Sequence, residues 1–166
     1  MLYLFLVNHP LSGTRHFETK RKLLNAVGYE IGVGTRIVGP IFNSGTLKIG
    51  TDCWIGRNLE IHGNGTVQIG DRCDLAPDVA FLTGGHKLGN VERRAGEGEV
   101  YRIEVGDGVW VGARATIGRN VKIGSGSVIA ACACVMQDVA PNTMVGGVPA
   151  KIIKELDHAS TPNPTK

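Results

Sequence analysis

An aliphatic residue followed by glycine recurs at six-residue intervals along this chain of 166 residues. In one frame, every sixth position from 105 to 135 is isoleucine or valine. A period of six fits neither an α-helix nor an alternating strand, and it is typical of a parallel β-helix in which coils stack on one another. The pairs that define the period are Ile49-Gly50, Ile55-Gly56, Val105-Gly106, Val111-Gly112, Ile117-Gly118 and Ile123-Gly124.

The same frame predicts which side chains face the core. The aliphatic residue that opens each unit points inward, and so does the residue four positions later. Glycine follows the aliphatic residue because a coil corner leaves little room for a side chain. Asn58 and Asn120 fall at corner positions where a left-handed backbone costs asparagine little. Three units close one triangular coil, so the segment 31–146 accommodates about five coils. The second inward set is Cys53, Leu59, Cys73, Val79, Val109, Ala115, Val121, Ser127, Ala133 and Val139.

The frame is interrupted at two places. The step from Ile61 to Ile69 is eight residues, so two extra residues bulge out around 62–65. From Thr83 to Ile103 the frame is lost in a polar, charged and glycine-rich stretch. This stretch is predicted to be a loop over 84–103 that projects from the coil. Long insertions in a compact repeat are usually functional, so the loop is a candidate site.

The first thirty residues are predicted to form a cap. The apolar stretch 2–7 is too short to span a bilayer or to form a signal-peptide core, which favours a cytoplasmic location and a role in covering the open end of the β-helix. A helix is predicted over 14–26, ended by Gly28. Its basic residues are expected on a solvent-facing side, with binding to a membrane surface as the alternative; they are Arg15, Lys20, Arg21 and Lys22.

Composition excludes several classes of function. The net charge is only +3, and no basic stripe interleaved with aromatic residues is present, which argues against nucleic acid. The 24 glycines are explained by the corners. The four cysteines lack the paired spacing of a zinc site, and two of them, Cys53 and Cys73, are predicted core residues. The predicted organisation is a cap over 1–30, a β-helix domain over 31–156 and a disordered tail over 157–166.

Three motifs carry a resemblance to a known family. They are LAPDVAFLTGGH before the loop, IEVGDGVWVGARATI after it and DVAPNTMVGGVPAKIIKEL at the end. From Ile61 to Leu156 the chain resembles the hexapeptide-repeat acyltransferases, particularly the branch of maltose, galactoside and colanic acid O-acetyltransferases. The resemblance implies an all-β, left-handed parallel β-helix ending in a short basic C-terminal helix. It also implies acetyl-CoA as co-substrate with no metal required, and a homotrimer with active sites between subunits.

His86 is the candidate catalytic residue. It lies among glycines where the frame fails, and histidine suits general-base chemistry at neutral pH; an ordinary exposed loop histidine is the alternative. The resemblance implies that His86 deprotonates the acceptor hydroxyl in a direct transfer, and that the backbone N–H of Ala113 stabilises the oxyanion. It assigns the following positions to coenzyme A: Trp110, Gly112, Ala113, Ala131, Met136, Gln137, Lys151 and Lys154.

Each of these assignments has a structural alternative. Residues 110–113 are also explained as one more coil. Lys151 and Lys154 are also explained as the solvated face of a short helix, on which they lie three residues apart. Lysine keeps the positive charge of the family's usual arginine and loses its bidentate geometry. Met136 and Gln137 replace the family's more usual threonine-lysine pair.

The acceptor site departs from the simple sugar enzymes. The position of their aspartate is Asn64 here, and that of their upstream asparagine is Gly56. These departures point from free sugars towards a polysaccharide precursor. The candidate substrate-binding residues are Asn64, His62, Arg93 and Tyr101, with solvated loop residues as the alternative.

Other functions of the same scaffold are weighed against this one. A γ-type carbonic anhydrase needs three histidines, and the coil region has only His62 and His86. A serine acetyltransferase needs a large helical N-terminal domain. A chloramphenicol-type xenobiotic acetyltransferase and an amino-sugar N-acetyltransferase share the histidine and remain alternatives. A structural β-helix scaffold is the non-enzymatic alternative, although it explains neither the loop nor the basic C-terminus.

Overall fold

The computed structural model describes residues 2–157, and over this range the chain forms a three-sided parallel β-helix. The predicted disordered tail therefore lies, from residue 158 onward, outside the described residues. Face A contains strands β1 (Glu30–Ile31), β4 (Thr46–Ile49), β7 (Thr66–Ile69), β12 (Arg102–Val105) and β15 (Lys122–Ile123). Face B contains β2 (Arg36–Ile37), β5 (Trp54–Ile55), β8 (Asp74–Leu75), β13 (Trp110–Val111), β16 (Val128–Ile129), β18 (Thr143–Gly146) and β19 (Lys151–Glu155). Face C contains β3 (Ile41–Asn43), β6 (Leu59–His62), β9 (Ala80–Leu82), β14 (Thr116–Gly118) and β17 (Cys134–Val135).

The chain visits faces A, B and C in turn and makes five complete coils and part of a sixth. The sixth begins where Val139 bridges to Ile123 on face A and continues as β18 on face B. Equivalent residues of successive coils stack directly, as Trp110 stacks between Asp74 and Val128. The sequence period therefore becomes a vertical register, and it agrees closely with the prediction of about five coils.

The interior confirms the predicted inward frame. All ten residues of the second inward set are at most 7 % exposed. Burying one of the aliphatic residues that open the repeat units, such as the fully buried Ile117, stabilises the fold by about 1.5–3 kcal/mol. The corners are as crowded as predicted, because a Cβ added to Gly112 would lie 2.5 Å from the backbone nitrogen of Ala131. Asn58 and Asn120 have φ angles of 53° and 58°, in the left-handed region.

Small polar side chains stack inside the corner between faces A and B. The Sγ–H of Cys53 donates to the carbonyl of Gly70 at 3.1 Å, and the N–H of Cys73 contacts Cys53 Sγ at 3.4 Å. Both cysteines are buried and free, as predicted. Their hydrogen bonds satisfy corner backbone groups that the strand ladders do not reach.

Two helices cap the first coil: α1 (Leu2–Asn8) and α2 (Phe17–Ala26). Val7 and Leu24 are fully buried in the main core cluster, which confirms that the apolar N-terminal stretch covers the open end. The side chain of Asn8 fixes α1 to the coil, because it accepts from the N–H of Ile41 and donates to its carbonyl. No helix within residues 2–157 is long and apolar enough to cross a membrane.

One basic residue of α2 does not face solvent as expected. Lys20 is fully buried, and its Nζ donates to the carbonyls of Gly13 at 2.6 Å and Val38 at 3.2 Å. The Nζ also lies 4.8 Å from the centre of the Phe17 ring. Burial lowers the pKa of Lys20 to about 8. The expectation fails because the ammonium group bridges the link between the two helices, at Gly13, and the first coil, at Val38.

The predicted projecting loop is largely a β-hairpin, formed by β10 (Gly84–Leu88) and β11 (Ala95–Val100). It leaves the coil between faces C and A, as the loss of the frame indicated. The last two residues of the predicted 84–103 loop belong instead to β12, because Arg102 and Ile103 pair with Thr66 and Val67.

The predicted C-terminal helix is wrong. Residues Lys151–Glu155 form β19, which pairs antiparallel with β18. Without β19, the outer edge of β18 would expose unpaired N–H and C=O groups. Pairing with β18 satisfies these groups, and this tertiary demand outweighs the helical charge spacing of the segment.

Candidate active site

Most of the candidate residues lie on two edges of the prism, and the others lie on face B. The histidine edge is the corner between faces C and A, made of 62–65, the hairpin 84–100 and 136–138. The alanine edge is the corner between faces B and C, made of 112–114, 130–132 and 146–147. Face C separates the two edges.

His86 lies on β10, opposite Gly98, and its side chain is exposed. Its Nδ1 is 2.9 Å from the carbonyl oxygen of Gly96 on the opposite strand. A carbonyl oxygen can only accept, so Nδ1 carries the proton and donates it. In the neutral ring, Nε2 is then left with a free lone pair. The hairpin therefore selects the tautomer in which the exposed nitrogen is a base.

Tyr101 positions the base of the hairpin. It is only 7 % exposed, so it does not lie on the loop surface expected of a substrate-binding residue, and its hydroxyl donates to Glu99 at 3.1 Å. A Cβ on Gly85 would lie 2.5 Å from this hydroxyl, so Gly85 is needed for the strand to pass the ring. Thr83 links this region to the neighbouring bulge, because its Oγ1 donates to the carbonyl of His62 at 3.1 Å.

The bulge beneath the hairpin holds two candidate acceptor residues. His62 is exposed, and its Nε2 lies 2.9 Å from a carboxylate oxygen of Glu60. Asn64 is exposed at the corner itself. Arg93 lies at the hairpin tip, where its backbone N–H donates to the side chain of Asn90 at 3.0 Å. The tip is several residues beyond His86, so a single chain does not bring Arg93 to the histidine.

Ala113 on the alanine edge presents a backbone N–H. Its carbonyl accepts from the N–H of Cys132 at 2.9 Å, while no acceptor among residues 2–157 receives its own N–H. The preceding Gly112 is buried, and its N–H is used by the carbonyl of Ile129. Ala131 lies one coil further along the same edge. An unpaired, half-exposed N–H at a crowded corner can serve an incoming oxyanion.

The other predicted coenzyme positions are divided between the two edges and face B. Trp110 is 57 % exposed on face B. Met136 and Gln137 lie on the histidine edge, where Met136 packs over Gly118. Lys151 and Lys154 are exposed on β19, opposite Gly146 and Met144, and neither forms an ion pair within the described range. The bulge in β19 sets their orientation, in place of the predicted shared helix face.

A broad hollow of about 810 Å³ contains none of these candidates. It runs along face A, where opposite charges pair with each other, as Glu104 does with Arg102 at 2.7 Å and with Lys122 at 3.5 Å. This hollow is the open outer side of a sheet. Within residues 2–157, no group of three histidine, cysteine or acidic side chains is arranged to hold a metal ion.

Sequence reasoning missed two features of the site. Gly96 orients His86 through its carbonyl, and a backbone acceptor leaves no trace in residue type. Trp54 and Asp74 stack directly below Trp110 on face B. The signal for Trp54 was present, because the segment Cys53-Trp54-Ile55-Gly56 repeats the pattern around Trp110 two coils earlier.

Comparison with known proteins agrees with this fold. Residues 102–137 match the family described as bacterial transferase hexapeptide (six repeats). A hexapeptide-repeat acetyltransferase of Vibrio cholerae, solved with acetyl-CoA, has a TM-score of 0.81 at 28% identity, over 94% of this chain and 84% of the other. A galactoside acetyltransferase solved with coenzyme A has a TM-score of 0.77 at 30% identity, over 94% and 78%.

A relative in sequence matches most of both chains. The galactoside O-acetyltransferase of Escherichia coli (strain K12) is 31% identical over 159 residues, which is 95% of this chain and 76% of the relative. Its match extends through the cap, the coils and the hairpin rather than the repeat alone. The chain belongs to the hexapeptide-repeat acetyltransferases.

Proposed function

We propose that this chain transfers an acetyl group from acetyl-CoA directly to a hydroxyl of a sugar or polysaccharide precursor, with His86 as the general base. The observation that carries the proposal is the hydrogen bond from Nδ1 of His86 to the carbonyl of Gly96. It leaves Nε2 unprotonated and exposed, ready to accept the proton of a hydroxyl as the hydroxyl oxygen attacks the thioester carbonyl.

The attack places negative charge on the former carbonyl oxygen, and Ala113 is the proposed donor to it. Its N–H is unpaired within the described residues and follows Gly112, which is packed closely against the next coil. A preorganised backbone donor of this kind is worth about 10²–10³ in turnover. When the intermediate collapses, the thiolate of coenzyme A leaves, and the proton held by His86 is available to it.

Lys151 and Lys154 are proposed to bind the phosphates of coenzyme A. Both are exposed and lack protein partners in residues 2–157, so their charges are available to a ligand. Ala131, Met136 and Gln137 are proposed to line the groove between the lysines and the reaction centre. Two similar solved proteins hold acetyl-CoA and coenzyme A, which supports a coenzyme site in this fold.

We place the complete site between two copies of the chain in a cyclic homotrimer. His86 and Ala113 lie on different edges of one prism, so one chain alone does not unite them. The outward column of face C runs Phe42, Glu60, Ala80, Thr116 and Cys134, so its later coils are small and uncharged, whereas face A is covered with charge. If face C turns towards a threefold axis, the histidine edge of each copy meets the alanine edge of the next.

The acceptor is proposed to contact the bulge residues His62 and Asn64, next to the hairpin, and Arg93 from its tip. The galactoside O-acetyltransferase relative supports a sugar hydroxyl as the acceptor. A role in polysaccharide synthesis and a cytoplasmic location remain predictions from the sequence.

The proposal is tested by calorimetric titration of the purified protein with acetyl-CoA, which requires no knowledge of the acceptor. Micromolar binding that weakens in the Lys151→Ala/Lys154→Ala variant supports the proposal. Absence of binding at millimolar acetyl-CoA overturns it. Sedimentation of the same sample gives the oligomeric state, and a monomer that is fully active would rule out the intersubunit site.

A further inference from the structure

A cleft on face B lies beside the proposed transfer site; of its lining residues, only Trp110 is a predicted coenzyme position. It has a volume of about 420 Å³ and is lined by Trp54, Asp74, Leu75, Ala76, Pro77 and Trp110. We call it the tryptophan cleft. Three of its residues are stacked on successive coils, in the order Trp54, Asp74, Trp110.

The register places Asp74 between Trp54 and Trp110, and the ring of Trp54 also packs edge-on against Phe17 at 5.7 Å. Neighbouring strands of a sheet are about 4.8 Å apart, so Asp74 lies within one strand spacing of each tryptophan. The Asp74 side chain is exposed and forms no hydrogen bond or ion pair with any residue in 2–157. Arg36 borders the adjoining hollow and leaves this carboxylate unpaired.

This combination of groups favours a cation. Electron-rich indole rings attract a positive charge within about 6 Å of the ring centre, and an unpaired carboxylate supplies charge-assisted hydrogen bonds. A neutral hydroxyl group gains less from both. An ammonium group on the ligand satisfies Asp74 and contacts the two rings at once.

The position of the cleft relates it to the reaction. Its wall at Pro77 adjoins the alanine edge, because the carbonyl of Pro77 accepts from the N–H of Arg114 at 3.0 Å, next to Ala113. The proposed coenzyme residues begin in the coil that contains Trp110 and continue through the later coils to Lys151. The tryptophan cleft lies on the opposite side of Trp110, on earlier coils, where the acceptor would lie.

We propose that the tryptophan cleft is the acceptor subsite, and that it takes a sugar carrying a positively charged amino group. The amino group anchors the sugar at Asp74, while a separate hydroxyl is presented to His86 of the neighbouring copy. The role of this sugar as the acetyl acceptor rests on the proposed function, whereas its positive charge is inferred from the residues of the cleft alone.

Binding is tested without acetyl-CoA. The chain has only two tryptophans, and both line the cleft, so intrinsic tryptophan fluorescence reports on its occupancy. The probe is methyl β-D-glucosaminide at neutral pH, and the neutral methyl β-D-glucoside is its matched control. The amino sugar is expected to change the fluorescence saturably and to bind at least tenfold more tightly than the neutral sugar.

Two variants separate contact from local charge. Asp74→Asn keeps the shape of the side chain and is expected to weaken binding of the amino sugar about tenfold. Asp52→Asn removes an exposed carboxylate that borders only the adjoining hollow, which Asp74 also lines, and it is expected to change binding by less than twofold. Equal affinity for the two sugars, or equal effects of the two variants, overturns the proposal.

Kinetics and assembly complete the test. In acetyl transfer to the amino sugar, Asp74→Asn is expected to raise its KM about tenfold while the KM for acetyl-CoA stays within twofold. If Asp74→Asn dissociates the oligomer, a cation of a neighbouring chain fills the cleft and the proposal is overturned. If the protein binds acetyl-CoA yet ignores the amino sugar, this inference fails alone; if it binds the amino sugar but never acetyl-CoA, the proposed function fails and the binding site stands.

Discussion

The coils and the hairpin divide the molecule into two regions built on opposite principles. The coils bury an aliphatic residue at almost every inward position, and each side chain is fixed by the coils above and below. The hairpin carries Leu88, Val91 and Val100 at 83 %, 79 % and 66 % exposure, and it contacts the coil mainly at its base. Packing in the core therefore constrains the sequence of the coils, whereas the proposed catalytic role of His86 constrains the sequence of the hairpin. Mutations in the two regions should affect different measurements.

The largest effect is expected for His86→Ala in the hairpin. Turnover should fall about 10²–10⁴-fold because the general base is lost, while the free energy of unfolding changes by less than about 0.5 kcal/mol. Steady-state kinetics and urea denaturation measure the two quantities. Lys87→Ala is the matched control, since Lys87 is the next residue and only forms an exposed ion pair with Glu97. Near-normal turnover of His86→Ala would remove the proposed base.

The converse is expected for Ile117→Ala in the coil. Ile117 is fully buried on β14, so the truncation should lower the free energy of unfolding by about 2–5 kcal/mol. The KM for acetyl-CoA should stay within about twofold in the folded fraction. Leu88→Ala in the hairpin removes a side chain of the same size and should cost less than about 0.5 kcal/mol. Equal costs for the two variants would abolish the distinction between the regions.

The cap extends the comparison to a buried charge. Burial lowers the pKa of Lys20 to about 8, whereas the unfolded chain binds this proton up to about pH 10.4. Between these values the unfolded state binds more protons, so stability rises with pH. Below pH 8 both states are protonated, and the cost of the buried charge is constant.

From pH 7.5 to 9.5, the free energy of unfolding is expected to rise by about 2 kcal/mol more in the unmutated protein than in Lys20→Met. Urea denaturation at both pH values measures this difference, which cancels the contribution of every other titrating group. Parallel pH profiles for the two proteins would show that the cap tolerates a buried ammonium without cost.

The smallest effect is expected at the C-terminal strand. Lys151→Ala/Lys154→Ala should weaken acetyl-CoA binding about tenfold and leave stability unchanged, because both lysines are exposed and lack protein partners in the described range. Lys48→Ala/Lys122→Ala removes the same charge from face A, where both lysines pair with acidic residues, and should change the affinity less than twofold. An equal loss in both variants would assign the effect to net charge.

The predictability of the chain follows the same division. The coils repeat one local rule, so the residues that face inward, such as Cys73 and Ala133, could be read directly from the period. Lys151 and Lys154 could not, because their helical spacing is local while the need to pair β18 is tertiary. Lysine is usually a surface residue, so sequence alone places Lys20 in solvent. Its burial is explained by the two carbonyl oxygens to which its Nζ donates.

For the candidate site, residue identity could be predicted and geometry could not. The failure of the frame located His86, and the resemblance named Ala113 and the lysines. The carbonyl of Gly96 that fixes the imidazole comes from strand pairing, which the sequence of a glycine-rich loop does not specify. Tyr101 was expected on the loop surface, yet its ring fills the space left by Gly85.

The hydrogen bond between His86 and Gly96 depends on the register in which the two strands of the hairpin pair. A slip of one residue would turn the imidazole to the other face of the hairpin. The hydrogen bond that keeps the proton on Nδ1 would then be lost. The tip beyond this bond is closed by a separate hydrogen bond from the N–H of Gly89 to the carbonyl of Arg94. Residues 90–93 can therefore change in length or sequence while the register at His86 is kept. Evolution, or a designer, can vary what the hairpin tip touches without rebuilding the catalytic step.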